Sequence, residues 1–232
     1  MHAVSPKNKS ILNRLKNIPR WVLAPLLVAW AAVGLFQQPA DGRPGRSRRR
    51  HNRRKVGDYV KLGGEKFVIW GSAATGCMPK GASITPDGKK MFVSNFGRPN
   101  RKIISVYTLP ALKKTADLSF RGNSIESAVS PDNKWLYSTN KKGSYLNVVH
   151  IPTLKLKKTI KIGGYPKVIE VSPKGRYVYL SRWSDARITQ VDTRTWKQKT
   201  LRIRKKHPRG LALSPDGSTL YVANNGSRHL TV

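Results

Sequence analysis

The stretch LALSPDGSTLYVANNG, from Leu211 to Gly226, decides the fold of this chain. Alternating apolar residues lead into Ser214-Pro215-Asp216-Gly217, and a second alternating run follows from Thr219 to Ala223. Proline presets the first corner of a tight turn, aspartate accepts hydrogen bonds from the backbone ahead, and glycine tolerates positive φ. Two short alternating runs across such a turn predict a β-hairpin.

The same hairpin pattern occurs four times along the chain. The other copies are ITPDGKKMFVSN (84–95), VSPDNKWLYSTN (129–140) and VSPKGRYVYLSR (171–182). The repeat prolines, Pro86, Pro131, Pro173 and Pro215, are 45, 42 and 42 residues apart. Three are followed by Asp87, Asp132 and Asp216, and six positions after each proline stands an aromatic residue: Phe92, Tyr137, Tyr179 and Tyr221. A period near 42 residues with several short strands per period is typical of a β-propeller, in which each blade is one four-stranded sheet.

These repeats resemble those of a known family. SPDG followed by LYVAN, MFVSN or LYSTN is similar to the YVTN-type (YncE-like) β-propeller repeat, over about residues 57–232. The resemblance implies an all-β fold of four-stranded blades, about four of them present. Because relatives of this type most often resemble seven-bladed rings, it implies a fragment of a larger ring, although closure of a four-bladed ring by two half-blades stays open. Propellers host many unrelated sites, so the resemblance says little about function.

The repeat frame also predicts the order of strands within each blade. The innermost strands are expected at 80–85, 125–130, 167–172 and 209–214, lining a central channel. Outermost strands are expected at 111–118, 155–162 and 196–203, and they are rich in lysine. Lysines on an exposed edge strand block edge-to-edge pairing, which explains their positions.

The charge balance of the chain is unusual. Its 232 residues contain 45 lysines and arginines against 11 acids, a formal net charge of +34. The excess is not confined to a tail, because the chain from Val56 onward holds 32 basic and 10 acidic residues. A field of this size attracts polyanions without choosing among them.

The N-terminal region divides into three segments. Residues 1–20 form a basic tail without acids, and residues 21–36 (WVLAPLLVAWAAVGLF) are apolar or small. The apolar segment predicts an uncleaved signal anchor rather than a cleaved signal peptide, because Gln38-Pro39-Ala40 is a poor cleavage site. We therefore expect a membrane-anchored, extracytoplasmic protein at the periplasm or cell surface. The basic residues after the span favour the opposite, cytoplasmic-facing orientation, so both topologies stay open.

The segment 37–56 is an arginine-rich linker. Its basic residues are Arg43, Arg46, Arg48, Arg49, Arg50, Arg53, Arg54 and Lys55. They are able to hold anionic lipid headgroups or the phosphates of a polyanion. A solvated linker kept extended by its own charges is an equally good interpretation.

Three cations stand at matching positions just before the innermost strands. Lys80, Lys167 and Arg209 each lie six residues before a repeat proline, whereas the second copy has Ile125 there. The resemblance implies that these turns surround the mouth of the channel. Converging cations in a concave site suit phosphate, carboxylate or sulfate groups, so we predict an anion site. Independent solvation of each side chain is the alternative.

The sequence gives less support to catalysis. Glu126 and Glu170 lie near innermost strands but do not recur, and the repeated aspartates belong to turns. The five histidines share no ligand spacing, so we predict neither a metal nor a cofactor. Cys77 is the only cysteine and is expected to be buried and inert. Trp70, Trp135, Trp183 and Trp196 either stack on bases or sugars or fill the packing between blades.

Two functions follow from these observations. The first is a non-catalytic binding propeller, tethered to a membrane, that engages an anionic polymer, with nucleic acid among the possibilities, or an acidic protein surface. The second is a lactonase-like propeller hydrolase with catalytic residues partly in blades beyond this sequence. The scarcity of channel acids favours the first.

Overall fold

A computed structural model of the chain describes residues 59–62, 65–68 and 70–232. The basic tail (1–20), the predicted signal anchor (21–36) and the arginine-rich linker (37–56) lie outside the described residues. No helix in the part that the structure describes is long and apolar enough to span a membrane.

The described chain is built of seventeen β-strands. They are β1 (Tyr59–Leu62), β2 (Glu65–Val68), β3 (Pro79–Ile84), β4 (Lys90–Asn95), β5 (Ile104–Thr108), β6 (Lys113–Leu118), β7 (Ser124–Val129), β8 (Trp135–Asn140), β9 (Tyr145–His150), β10 (Lys155–Lys161), β11 (Pro166–Val171), β12 (Tyr177–Arg182), β13 (Arg187–Asp192), β14 (Gln198–Arg202), β15 (Pro208–Leu213), β16 (Leu220–Asn224) and β17 (His229–Thr231). The prediction of an all-β propeller built from four-stranded blades is confirmed for this region.

The strands form successive antiparallel meanders. Blade 1 is β3–β6, blade 2 is β7–β10, blade 3 is β11–β14, and blade 4 contains the three strands β15–β17. Strands β1 and β2 form a two-stranded sheet ahead of them. The innermost strands β3, β7, β11 and β15 contact one another in sequence, so the channel is lined by the first strand of each blade.

The SPDG-type turns join the first and second strands of each blade. In blade 4 the N–H of Gly217 donates to the carbonyl of Ser214 over 2.8 Å, and Gly217 has a φ of 72°. Asp216 accepts from the Ser214 hydroxyl and from the N–H of Ser218 over 3.1 Å, and these hydrogen bonds lower its pKa to about 2. The aspartates therefore lock turns, as their spacing predicts.

The core consists of layers between blades. Phe92 of β4 packs with Leu136 and Val149 of blade 2, and Tyr137 of β8 packs with Ile169 and Leu180 of blade 3. Tyr179 packs in the same way against Leu211 and Val222 of blade 4. The repeated aromatic position thus faces the next blade, and Tyr221 of blade 4, the last described blade, is 40% exposed.

Three details differ from the sequence-based expectations. The outermost strands are shorter than predicted, at Lys113–Leu118, Lys155–Lys161 and Gln198–Arg202. The innermost strands begin one residue earlier than predicted, at Pro79, Ser124, Pro166 and Pro208. In three of the four the first residue is a proline, which is tolerated at that position of a strand. The expectation for Cys77 is wrong, because its side chain is exposed in the irregular segment that precedes β3.

Candidate functional site

Each innermost strand is irregular at its first residues. Pro79 pairs with Asn95 and Gly81 with Ser94, so Lys80 is an extra residue without a partner on β4. The same irregularity lies between Pro208 and Gly210, where Arg209 is extra. In blades 2 and 3 it falls between Ser124 and Ser127 and between Pro166 and Ile169. Such β-bulges change the direction in which side chains point. The predicted cations therefore lie where side chains no longer alternate regularly between the two faces of the strand.

Hydroxyl groups on the second strands hold the bulges in place. The Thr139 hydroxyl of β8 accepts from the N–H of Glu126 over 3.0 Å and lies 3.2 Å from the carbonyl oxygen of Lys167. In blade 3 the Ser181 hydroxyl accepts from the N–H of Val168 and donates to the carbonyl oxygen of Arg209 over 2.9 Å. Each hydroxyl therefore links the innermost strands of two consecutive blades.

The predicted cations share one electrostatic environment. Partial burial lowers the pKa of Lys167, and the positive charges of Lys141, Arg209 and Lys80 lower it further. None of these four side chains takes part in an ion pair among the described residues. The structure thus brings Lys80, Lys167 and Arg209 together and adds Lys141, while binding of an anion stays a prediction.

Two glutamates lie on the innermost strands β7 and β11. Burial raises the pKa of Glu126 to about 7, and the charge of Glu170 adds to the increase, against the opposing effects of the Ser127 N–H and of Arg209. Burial also raises the pKa of Glu170 to about 7. Carboxyl groups that titrate near neutral pH are candidates for general acid–base chemistry.

The position of Glu126 depends on a glycine in the neighbouring blade. A Cβ atom added at Gly81 of β3 would overlap the carboxylate of Glu126. In blade 4 the matching glycine, Gly210, faces only the Cβ of Ala223 at 3.3 Å. Gly81 therefore provides the space into which the Glu126 side chain extends.

Aromatic rings stand among the cations. The Lys167 ammonium lies 4.6 Å from the ring centre of Trp183, which stacks on His207 with ring centres 4.7 Å apart. The Lys141 ammonium lies within 6 Å of two ring centres, 5.5 Å from Phe96 and 5.8 Å from Tyr165. These cation–π contacts favour particular positions of the two ammonium groups.

The four tryptophans lie in different surroundings, and packing between blades is confirmed for two of them. Trp135 and Trp196 pack against the core between blades 2 and 3, whereas Trp183 belongs to the group of cations and rings. Trp70 is 80% exposed. No group of histidine, cysteine, aspartate or glutamate side chains suited to a metal occurs in the described residues.

Glu126 and Glu170 do not recur in the repeats and therefore were not predicted as site residues. Lys141 was missed for the same reason, whereas Gly81 is matched by Gly210 in blade 4 and was missed because a glycine carries no functional group. The available signal was that Glu126 and Glu170 are two of only ten acids from Val56 onward and both lie on innermost strands. Recurrence identifies residues that maintain the fold. It does not identify site residues that occur in only one blade.

Comparison with known proteins places the chain in a family. The family described as "Lactonase, 7-bladed beta-propeller" matches residues 82–232, more than half of the sequence. The chain belongs to this family. Membership of the lactonase family supports the propeller, while the finer YVTN-type assignment stays a prediction. A search of the curated proteins finds none that matches this chain.

Solved structures agree on the architecture. Hydrazine synthase of Kuenenia stuttgartiensis is 27% identical, with a TM-score of 0.59, over 67% of this chain and 45% of that one. A putative 6-phosphogluconolactonase from Bacteroides uniformis is 19% identical, with a TM-score of 0.53, over 66% of this chain and 52% of that one. The chain thus spans about half the length of these two structures.

Proposed function

We propose that this propeller is a lactonase-like hydrolase that acts on an anionic lactone at the mouth of its channel. The observation that carries the proposal is the pair Glu126 and Glu170 on neighbouring innermost strands: burial raises the pKa of both to about 7, and Glu126 lies against Gly81 and feels the charge of Arg209. Membership of the lactonase family supports the reaction class. Because the similar Bacteroides uniformis propeller is a putative 6-phosphogluconolactonase, a phosphorylated sugar lactone is the substrate to test first.

The glutamate pair supplies a base and an acid at neutral pH. Two neighbouring carboxyl groups that titrate together near pH 7 hold about one proton between them. The ionised carboxylate removes a proton from water, and the resulting hydroxide attacks the lactone carbonyl carbon. The acyl–oxygen bond of the ring then breaks, and the protonated carboxyl group delivers its proton to the departing ring oxygen. The product is the open hydroxy acid, and the pair returns to one shared proton.

The cations have a separate task in this proposal. Lys80, Lys167 and Arg209 bind the phosphate or carboxylate group of the substrate through charge-assisted hydrogen bonds. Their charge also stabilises the negative oxygen that develops on the carbonyl during attack. An uncharged lactone lacks the first of these contacts, so we expect weaker binding of a neutral substrate.

The test measures the hydrolysis of glucono-δ-lactone and of its 6-phosphate ester. The readout is the rate of acid release in excess of the spontaneous rate in buffer. We expect the wild-type chain to prefer the phosphate ester, with a rate that peaks near pH 7. Glu126→Gln and Glu170→Gln should each lower kcat by roughly 10²–10⁴-fold, the usual contribution of general acid–base catalysis. Asp216→Asn, in an exposed turn, is the matched control. Hydrolysis by the wild type no faster than in buffer, or full activity in both glutamine variants, would overturn the proposal.

A second candidate function rests on the net charge of +34. In this alternative the propeller is a non-catalytic, membrane-tethered and extracytoplasmic module that binds an anionic polymer, an acidic protein surface or nucleic acid without a cofactor. Binding of polyphosphate or heparin should weaken steeply with salt, because each neutralised charge releases counterions. Affinity that does not change between low and high salt would argue against this role.

A further inference from the structure

A cleft outside the channel contains a buried polar group without a partner. It is lined by Phe120 and Arg121, in the link from β6 to β7, and by Tyr145, Asn147, Leu156 and Thr159 of β9 and β10. Its volume is about 240 Å³. No lining residue belongs to an innermost strand, so the cleft is distinct from the group of glutamates and cations.

Asn147 is the polar group in question. Its side chain is only 2% exposed, and its Oδ1 accepts from the Thr159 hydroxyl over 3.1 Å. Its Nδ2 is one of four buried side-chain polar atoms without a partner among the described residues. Turning the amide over would pair Nδ2 with Thr159 and leave Oδ1 alone, so either orientation leaves one amide atom unpaired. An unpaired buried donor is costly and rare, which calls for a ligand.

The neighbouring blades show that this position is normally satisfied. Asn147 pairs across the sheet with Thr159, as Ser105 pairs with Asp117 in blade 1 and Thr189 with Thr200 in blade 3. The Ser105 hydroxyl donates to Asp117 over 2.7 Å and accepts from Asn95 over 3.1 Å. The Thr189 and Thr200 hydroxyls lie 3.3 Å apart. Among these three blades, blade 2 is the one in which this position has a buried polar atom without a hydrogen-bond partner. The cleft lies next to that position.

The walls of the cleft define what it would hold. Phe120, Tyr145 and Leu156 offer apolar surface, and the Lys161 ammonium lies 4.7 Å from the Tyr145 ring centre while donating to the Gly143 carbonyl over 2.9 Å. The carbonyl of Arg121 accepts from Asn140, which fixes its backbone, and its side chain forms no ion pair in the described part of the chain. The cleft is smaller than the roughly 300–1,000 Å³ that drug-sized ligands occupy, so it suits a single ring.

We infer that this cleft is a second binding site, for a small ring-bearing carboxylate. The ring lies between Phe120, Tyr145 and Leu156, one carboxylate oxygen accepts from Nδ2 of Asn147, and the charge is balanced by Arg121. Positive charge around the opening favours an acceptor over a donor at the amide, because Arg121 and Lys161 both attract anions. This inference does not depend on the proposed hydrolysis.

The experiment uses the full chain and sodium benzoate as the probe, with benzyl alcohol at equal ionic strength as the uncharged control. Calorimetric titration of the wild type should show saturable binding of benzoate and at least tenfold weaker binding of benzyl alcohol. Asn147→Leu keeps the shape and removes the donor, so benzoate affinity should fall at least tenfold. Arg121→Gln should lower the affinity severalfold and reduce its dependence on salt.

Two measurements keep the result interpretable. The melting temperature of unliganded Asn147→Leu should equal or exceed that of the wild type, because a buried unpaired group has been removed, and this shows that the variant folds. Thr189→Val removes the polar atom at the matching position of blade 3 and should leave benzoate affinity unchanged. Absence of saturable binding at millimolar benzoate, or equal affinity of wild type and Asn147→Leu, would overturn the inference.

Discussion

Blade 2 and blade 1 share a frame and differ at the residues that matter for chemistry. At the start of its innermost strand blade 1 reads Pro79-Lys80-Gly81, whereas blade 2 reads Ser124-Ile125-Glu126. Both strands are bulged at this point. The bulge in blade 1 presents a cation and leaves open space, and the bulge in blade 2 presents a carboxyl group that fills that space.

The comparison shows how a repeat protein acquires a site. The turn residues, the aromatic that faces the next blade and the bulge recur, because every blade must pack on its neighbour. A departure at the bulge changes the chemistry without disturbing the packing. Blades 3 and 4 keep the cation, as Lys167 and Arg209, so blade 2 is the exception, with Ile125 in place of the cation and a glutamate next to it.

The largest effect is expected from making blade 2 resemble blade 1. The double change Ile125→Lys and Glu126→Gly replaces the carboxyl group by a fourth cation at the bulge. Lactone hydrolysis should fall by roughly 10²–10⁴-fold, because the proposed acid–base pair is lost. The rate of acid release from the phosphorylated lactone measures the change. A variant that keeps the wild-type rate would show that Glu126 has no part in the reaction.

The next effect comes from removing the feature that the other three blades share. Lys80→Glu, Lys167→Glu and Arg209→Glu together should weaken binding of an anionic ligand about a hundredfold or more, since each charge-assisted hydrogen bond contributes about 1.5–3 kcal/mol. Inorganic phosphate titrated into the protein is a suitable probe. Three outer-strand lysines changed to glutamate, Lys155, Lys157 and Lys199, match the change in net charge. Equal affinity in both triple variants would mean that the channel mouth is not the site.

A smaller effect separates the two glycines of the innermost strands. Gly81→Ala should displace the Glu126 carboxyl group and lower the hydrolysis rate about tenfold, because small misplacements of a catalytic group are costly. Gly210→Ala places its methyl group against Ala223 and should leave the rate unchanged. Both variants should melt near the wild-type temperature, because the Glu126 side chain is able to move. Equal rates in the two variants would contradict the role of Gly81.

The smallest effect is on stability as a function of pH. Glu126 and Glu170 have folded-state pKa values of about 7, above the ordinary 4.5, so the folded state binds more protons than the unfolded state between these values. The free energy of unfolding should therefore decrease as the pH rises from 4.5 to 7 and change little from this cause above pH 7. Urea unfolding at pH 5 and pH 7 measures the difference. Glu126→Gln with Glu170→Gln should flatten the profile, and an unchanged slope would show that other groups cause it.

Much of the fold could be predicted from residues that recur at a fixed spacing in the sequence. Pro86, Pro131, Pro173 and Pro215 mark turns whose geometry depends on three or four neighbouring residues, so local chemistry is sufficient to predict them. The aromatic residues six positions later predict a buried face because strands alternate with a period of two. The bulges were not predicted, because a one-residue excess on one strand depends on what the partner strand and the next blade offer.

The sequence by itself therefore determined the blades, their order and the excess of positive charge, since these follow from short-range patterns and from composition. Only the tertiary structure decided that Glu126 lies against Gly81 of another blade, that Lys141 joins Lys80, Lys167 and Arg209, and that Asn147 faces a cleft. These relations join residues about 20 to 130 positions apart, and burial by neighbouring blades raises the pKa of the glutamates. Contact between distant segments sets both the geometry and the protonation of the candidate site.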